Sequence, residues 1–133
     1  MKLSPYLNFN GQCAEAFAVY AKCFGGTITF SQTFGESPMK DQVPADWYDK
    51  IMHTTLTVGD IALSGADAPP DRYAPPQGIQ VSISIADPAE GERLFKALAE
   101  HGTVAMPFEK TFWSAGFGMV VDRFGIPWMV NCE

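Results

Sequence analysis

The sequence of 133 residues predicts a single α+β domain made of two modules, each a strand, a helix and then three strands. Three observations predict it. Two stretches carry apolar residues at helical spacing, and each follows a short strand and precedes three strand-like runs. The chain closes on two apolar runs about Asp122-Arg123-Phe124-Gly125, a hairpin signal. The halves also align at an offset of 75 residues, Ala14-Glu15 with Ala89-Glu90 and Val19-Tyr20 with Leu94-Phe95.

The first module takes about residues 1–66. Leu3 to Phe9 reads as a strand, with Leu7 and Phe9 on one face and Tyr6 and Asn8 on the other. Asn10-Gly11 breaks it. From Gln12 to Phe24 the apolar positions Cys13, Ala16, Phe17, Tyr20 and Phe24 form one helical stripe, and Gly25-Gly26 supplies the stop. Thr27 to Phe34 is β-branched and aromatic, a strand composition. Gly35 to Lys50 is a polar loop with two prolines and an aromatic pair at Trp47-Tyr48. A loop this long is either a functional lid or a disordered insert, and the aromatic pair favours the lid. Ile51 to Val58 alternates, with Met52, Leu56 and Val58 opposite His53, Thr55 and Thr57. Gly59-Asp60 then turns the chain into Ile61 to Ser64.

Residues 67–77, DAPPDRYAPPQ, hold four of the ten prolines and read as a stiff connector. The second module takes about residues 78–133. Ile79 to Ile85 alternates as a strand. Asp87-Pro88-Ala89-Glu90 is a helix start, with Asp as cap and Pro at the first helical position. Leu94, Phe95 and Leu98 form the buried stripe, and His101-Gly102 closes the helix, where an imidazole suits the helix dipole. Thr103 to Phe108 is a strand, and Gly118–Val121 with Ile126–Cys132 form the last hairpin. Asp122 is expected to hold its turn through backbone amides, and Trp128, on the face of Val130, to lie in the core. With one extra loop residue allowed, Ser4, Tyr6, Leu7, Asn8 and Phe9 align with Gln80, Ser82, Ile83, Ser84 and Ile85.

Composition bounds the function. Apolar content of 47% and charged content of 18% describe an ordinary folded domain. A net charge of −6 with no Lys/Arg cluster excludes a nucleic-acid partner. No apolar run is long enough to span a membrane, and the start MKLSPYL has no signal-peptide core, so a cytoplasmic location is expected. The three cysteines, Cys13, Cys23 and Cys132, form no C-x-x-C and read as reduced, buried side chains.

A four-stranded sheet with a helix on one face leaves the other face open. Turned toward a shared cleft, the open faces would carry Tyr6, Asn8, His53, Thr55, Thr57, Gln80, Ser82, Met129 and Asn131. That mixture of polar, aromatic and thioether groups suits a small organic ligand; the alternatives are solvent or a second subunit. Trp113, ahead of the small residues Ser114-Ala115-Gly116, is a further stacking candidate. His53 is the one imidazole on these faces, and so the candidate acid/base or donor.

The opening SPYLNFNGQCAEAFAVYAKCFGG, the TFG at Thr33–Gly35 and the terminal TFW-x-x-GFG-x-x-x-D-x-FG-x-PWM-x-N resemble the PhnB-like branch of the vicinal oxygen chelate superfamily. That superfamily includes glyoxalase I, bleomycin resistance proteins and extradiol dioxygenases. The resemblance covers the chain apart from the Gly35 to Lys50 loop. It implies the glyoxalase/bleomycin-resistance/dioxygenase fold of two βαβββ modules, and a homodimer whose clefts are built by modules of one chain or of two. Metal-dependent members carry His and Glu ligands on the first and last strand of each module. The matching positions here are about Ser4, Ala62, Gln80 and Met129, or Ser64 and Asn131 if the last strands shift by two. A divalent ion wants carboxylate or imidazole, so no metal site and no cofactor are expected. The expected function is metal-free binding of a small molecule. The alternative is a lyase, isomerase or dioxygenase with His53 as acid/base or metal ligand. The methyltransferase label sometimes given to this branch is discounted, for want of a strand followed by a glycine-rich cofactor loop.

Overall fold

The computed structural model describes residues 1–133, which divide into two compact units, Met1–Ala74 and Pro75–Glu133. The first unit runs β1 (Tyr6–Phe9), α1 (Cys13–Phe24), β2 (Thr27–Thr33), β3 (Ile51–Val58) and β4 (Ile61–Asp67). The second runs β5 (Val81–Ser84), α2 (Pro88–Ala99), β6 (Thr103–Glu109), β7 (Gly116–Val121) and β8 (Pro127–Cys132). The βαβββ order is therefore repeated. Each unit holds one four-stranded mixed sheet, in the orders β1-β4-β3-β2 and β5-β8-β7-β6. In both, the first strand pairs parallel with the last, and the other pairs are antiparallel.

The two first strands are shorter than their sequence pattern suggests. Leu3 and Ile79 lie outside them and are exposed. β4 is longer and ends on Asp67, which is buried, although its proline-rich sequence context reads as connector. Asp67 accepts the backbone N–H of Cys13 and of Ile51, each at 2.9 Å, and so ties the start of α1 to the start of β3. One carboxylate thereby satisfies an unpaired helix-end donor and a strand-end donor together.

Each helix covers one sheet face. Cys13, Ala16, Phe17, Tyr20 and Cys23 are the buried side of α1, packed over Leu7, Phe9, Leu56 and Leu63. The Phe9, Phe17 and Tyr20 rings stand 5.7–6.5 Å apart in tilted and edge contacts, the preferred aromatic geometry. In the second unit Leu94, Phe95 and Leu98 meet Val120, Trp128 and Val130. Strands β7 and β8 alternate buried and half-buried residues along their whole length, so one face is core and the other is open.

The terminal hairpin is organised by Asp122. Its Oδ1 accepts Phe124 N and Ile126 N at 2.9 Å, and its Oδ2 accepts Trp128 Nε1 at 2.8 Å. Trp128 is 2% exposed. The loop between β2 and β3 is closed at its base by Phe34 N donating to Lys50 O and Gly35 N to Tyr48 O. It contains two single 3₁₀ turns, Lys40–Gln42 and Ala45–Trp47. Lys50 Nζ reaches across to Gly11 O at 3.1 Å.

Candidate functional site

The open face of the first unit carries a connected row of polar side chains. Tyr6, Ser64, Thr55 and Phe30 lie in register across all four strands: Tyr6 pairs with Ser64, Ser64 with Thr55, and Thr55 with Phe30. His53 stands two residues along β3, on the same face. Tyr6 Oη and His53 Nδ1 are 2.9 Å apart, His53 Nε2 and Thr55 Oγ1 3.3 Å, and Thr55 Oγ1 and Ser64 Oγ 3.0 Å. The Tyr6 and Phe30 rings flank the imidazole, with centroids at 5.5 and 5.6 Å. Tyr6 and Phe30 are each about half exposed, so a ligand can reach them. Partial burial, then the nearby Cys13 thiol, pushes the Tyr6 phenol above its ordinary range and keeps it protonated.

Of the residues expected to line a site, the structure brings Tyr6, His53 and Thr55 into this hydrogen-bonded group. Asn8 lies one step further along β1 on the same face and is exposed. Phe30 and Ser64 complete the group and are additions to the expected set. A β-bulge between Ile28 and Phe30 explains why Phe30 is hard to foresee. Ile28 pairs with the buried Leu56, whereas Phe30 pairs with Thr55 on the open face. The extra residue reverses the phase of the strand.

The other candidates belong to the second unit. Ser82 pairs with Met129, and Met129 with Met119. Asn131 pairs with Phe117, whose ring receives Trp113 edge-on at 5.3 Å. Asn131 Oδ1 is buried with no hydrogen-bond partner. Gln80 borders a depression of about 290 Å³ together with Met119 and Pro127. This face mixes Met119, Met129 and Phe117 with Ser82, Ser84, Glu109 and Asn131, and no hydrogen bond between its polar side chains joins them as in the first unit. The small residues after Trp113 have an internal explanation. Gly116 abuts the Phe108 ring, and Ser114 Oγ lies 2.6 Å from the carbonyls of Gly116 and Cys132.

Burial disfavours the thiolate form of Cys13 and Cys132. All three cysteines are buried and unbonded to one another. Burial, then the Asp67 carboxylate, pushes the Cys13 thiol far up; burial, then Asp87, raises that of Cys132. The superfamily's metal positions fit an ion no better. Ser4 and Gln80 precede β1 and β5, and Ala62 and Met129 sit in β4 and β8, with no carboxylate or imidazole among them. In neither unit do three His, Cys, Asp or Glu side chains converge. The donor set does not fit a divalent cation.

Residues 1–131 match the family described as 3-demethylubiquinone-9 3-methyltransferase. The chain belongs to that family. It is 34% identical to Protein YjdN of Escherichia coli over 98% of this chain and 95% of the relative. The structure of PA1353 from Pseudomonas aeruginosa superposes with a TM-score of 0.91 at 51% identity, covering 100% of this chain and 98% of that one. A Bacillus cereus structure described as a putative 3-demethylubiquinone-9 3-methyltransferase, PhnB protein, gives 0.84 at 20% identity over the whole of both chains. The fold is that of the glyoxalase/bleomycin resistance/dioxygenase proteins. A Burkholderia phytofirmans enzyme of that family superposes at 0.64, with 11% identity over 97% of this chain and 95% of its own. This PhnB-like chain thus carries the fold, with a hydroxyl–imidazole row on its first unit.

Proposed function

We propose that this PhnB-like protein binds a small organic molecule on the open face of its first unit, without a metal ion. The observation that carries this is the row itself. Four half-exposed or exposed polar side chains from three strands bond to one another. Holding such groups costs side-chain entropy, and a site orientated in advance for a ligand recovers it on binding. The flanking Tyr6 and Phe30 rings add apolar contact, the usual make-up of a small-molecule site. A homodimer belongs to the same reading, because Met106, Phe112 and Trp113 stay exposed in the single chain.

Binding is favoured over acid–base catalysis at His53. A general base needs a ring nitrogen turned to the substrate, and both nitrogens here are engaged, at 2.9 and 3.3 Å. Methyl transfer gains no support from the two strand-to-helix turns. Asn10-Gly11-Gln12 and Ile85-Ala86-Asp87 lack the glycine-rich loop that cradles a nucleotide cofactor. The test is a ligand screen with metal analysis of protein purified without chelator. The expected result is saturable binding weakened about tenfold or more by His53→Ala, with no stoichiometric divalent ion. A stoichiometric metal that His53→Ala removes would overturn the reading.

A further inference from the structure

We propose that the ligand held by the Tyr6–His53–Thr55–Ser64 row is a small carboxylate, and that the site takes up one proton as it binds. This rests on the row being the binding site. The argument is a proton count. Three hydroxyls and a neutral imidazole own four protons, and the three internal hydrogen bonds use three of them. One outward proton is then left, and with all three bonds running the same way along the row it sits at one end while the other end shows only lone pairs. Either direction satisfies the internal bonds, so a neutral row offers one donor and one acceptor. An imidazolium donates from both nitrogens, to Tyr6 Oη and to Thr55 Oγ1. The row then has two outward protons, one on Tyr6 and one on Ser64 or Thr55, because the bond between those two hydroxyls can run either way.

The pairings of β1 with β4 and of β4 with β3 set Tyr6, Ser64 and Thr55 side by side in the backbone, so both outward donors rise from one stretch of this face. Two adjacent donors match the two oxygens of a carboxylate, and the Tyr6 and Phe30 rings favour an aromatic one. Charge points the same way. His53 is the only basic residue on the four strands. The only acid on them, Asp67, is held by Cys13 N and Ile51 N. From β2 the imidazole faces Phe30 and Gln32, neither charged, and Glu36 beyond that strand is bonded to Thr33. A chain of net charge −6 gains no further negative charge if a proton accompanies the anion.

Benzoate is the probe, titrated calorimetrically between about pH 5.5 and about pH 8.5, with benzamide as its neutral counterpart. At the alkaline end, two buffers of different ionisation enthalpy report the protons taken up. The expected result is benzoate affinity falling toward the alkaline end by about tenfold per pH unit, with uptake approaching one proton. His53→Gln abolishes the pH dependence, and Tyr6→Phe and Ser64→Ala each weaken binding about tenfold, with unchanged thermal unfolding as the folding control. No benzoate binding at the acid end overturns the carboxylate assignment. So does benzamide binding as well as benzoate, without proton uptake but sensitive to Tyr6→Phe; that outcome leaves the site intact. Binding of either probe indifferent to all three substitutions overturns the site as well.

Discussion

At the scale of single residues, Asp122 and His101 show how local chemistry fixes the second unit. Asp122 accepts three hydrogen bonds at 2.8–2.9 Å from a buried position. Asp122→Ala removes the acceptor of two backbone amides and an indole N–H, so the expected loss is about 3 kcal/mol in urea unfolding. A loss below about 0.5 kcal/mol, the range of an ordinary surface change, would contradict the role given to this carboxylate. His101 sits beyond the end of α2 with φ 58°, where α1 uses Gly25 at φ 70°. An imidazole side chain in the left-handed region is strained, and its contact with Glu100 is long, at 3.8 Å, and exposed. His101→Gly is therefore expected to raise stability by up to about 1 kcal/mol. Thermal unfolding of the variant measures it, and a fall would mean that the terminal cation matters more than the backbone.

At the scale of elements, the repeat uses different devices for one purpose. Where α1 crosses its sheet, the strand supplies the glycine: a Cβ on Gly65 would stand 2.7 Å from Leu7 O and from the Phe17 ring. In α2 the helix supplies it, for a Cβ on Gly91 would run into Cys132 Sγ and come within 3.3 Å of Phe108. Alanine in place of a helix glycine ordinarily gains about 1 kcal/mol. Overpacking reverses the sign here, and Gly91→Ala is expected to cost about 1–3 kcal/mol in the same unfolding measurement. The helices and the hairpin were legible in the sequence because their signals are local. Asp87 caps α2 by accepting Ala89 N, with Pro88 next to it, and Asp122 serves its own turn. The row on β1, β3 and β4 was legible only in part. Tyr6 and His53 are 47 residues apart, and a pairing register, not spacing, joins them. Phe30 was hidden by a bulge, which no alternation pattern reveals.

At the scale of the whole molecule, buried thiols set the alkaline limit. The Cys13 and Cys132 thiols stay protonated in the folded chain above the pH at which unfolded cysteine ionises, about 8.5. The unfolded state then binds fewer protons than the folded one, so stability falls as pH rises from about 8.5. The slope from Cys13 is about 1.4 kcal/mol per unit, and Cys132 adds to it in the same direction. Cys13→Ala should flatten this slope, and an unchanged slope in urea unfolding across that range would contradict it. The family and fold follow from the matching architecture and from agreement with known relatives along the whole chain. The proposed site rests on one sheet face. The most direct check of that claim is an amide-resolved NMR titration of the intact protein with a small aromatic ligand. The account predicts saturable shifts clustered at Tyr6, Phe30, His53, Thr55 and Ser64. Shifts confined instead to Trp113, Phe117 and Met129 would contradict it.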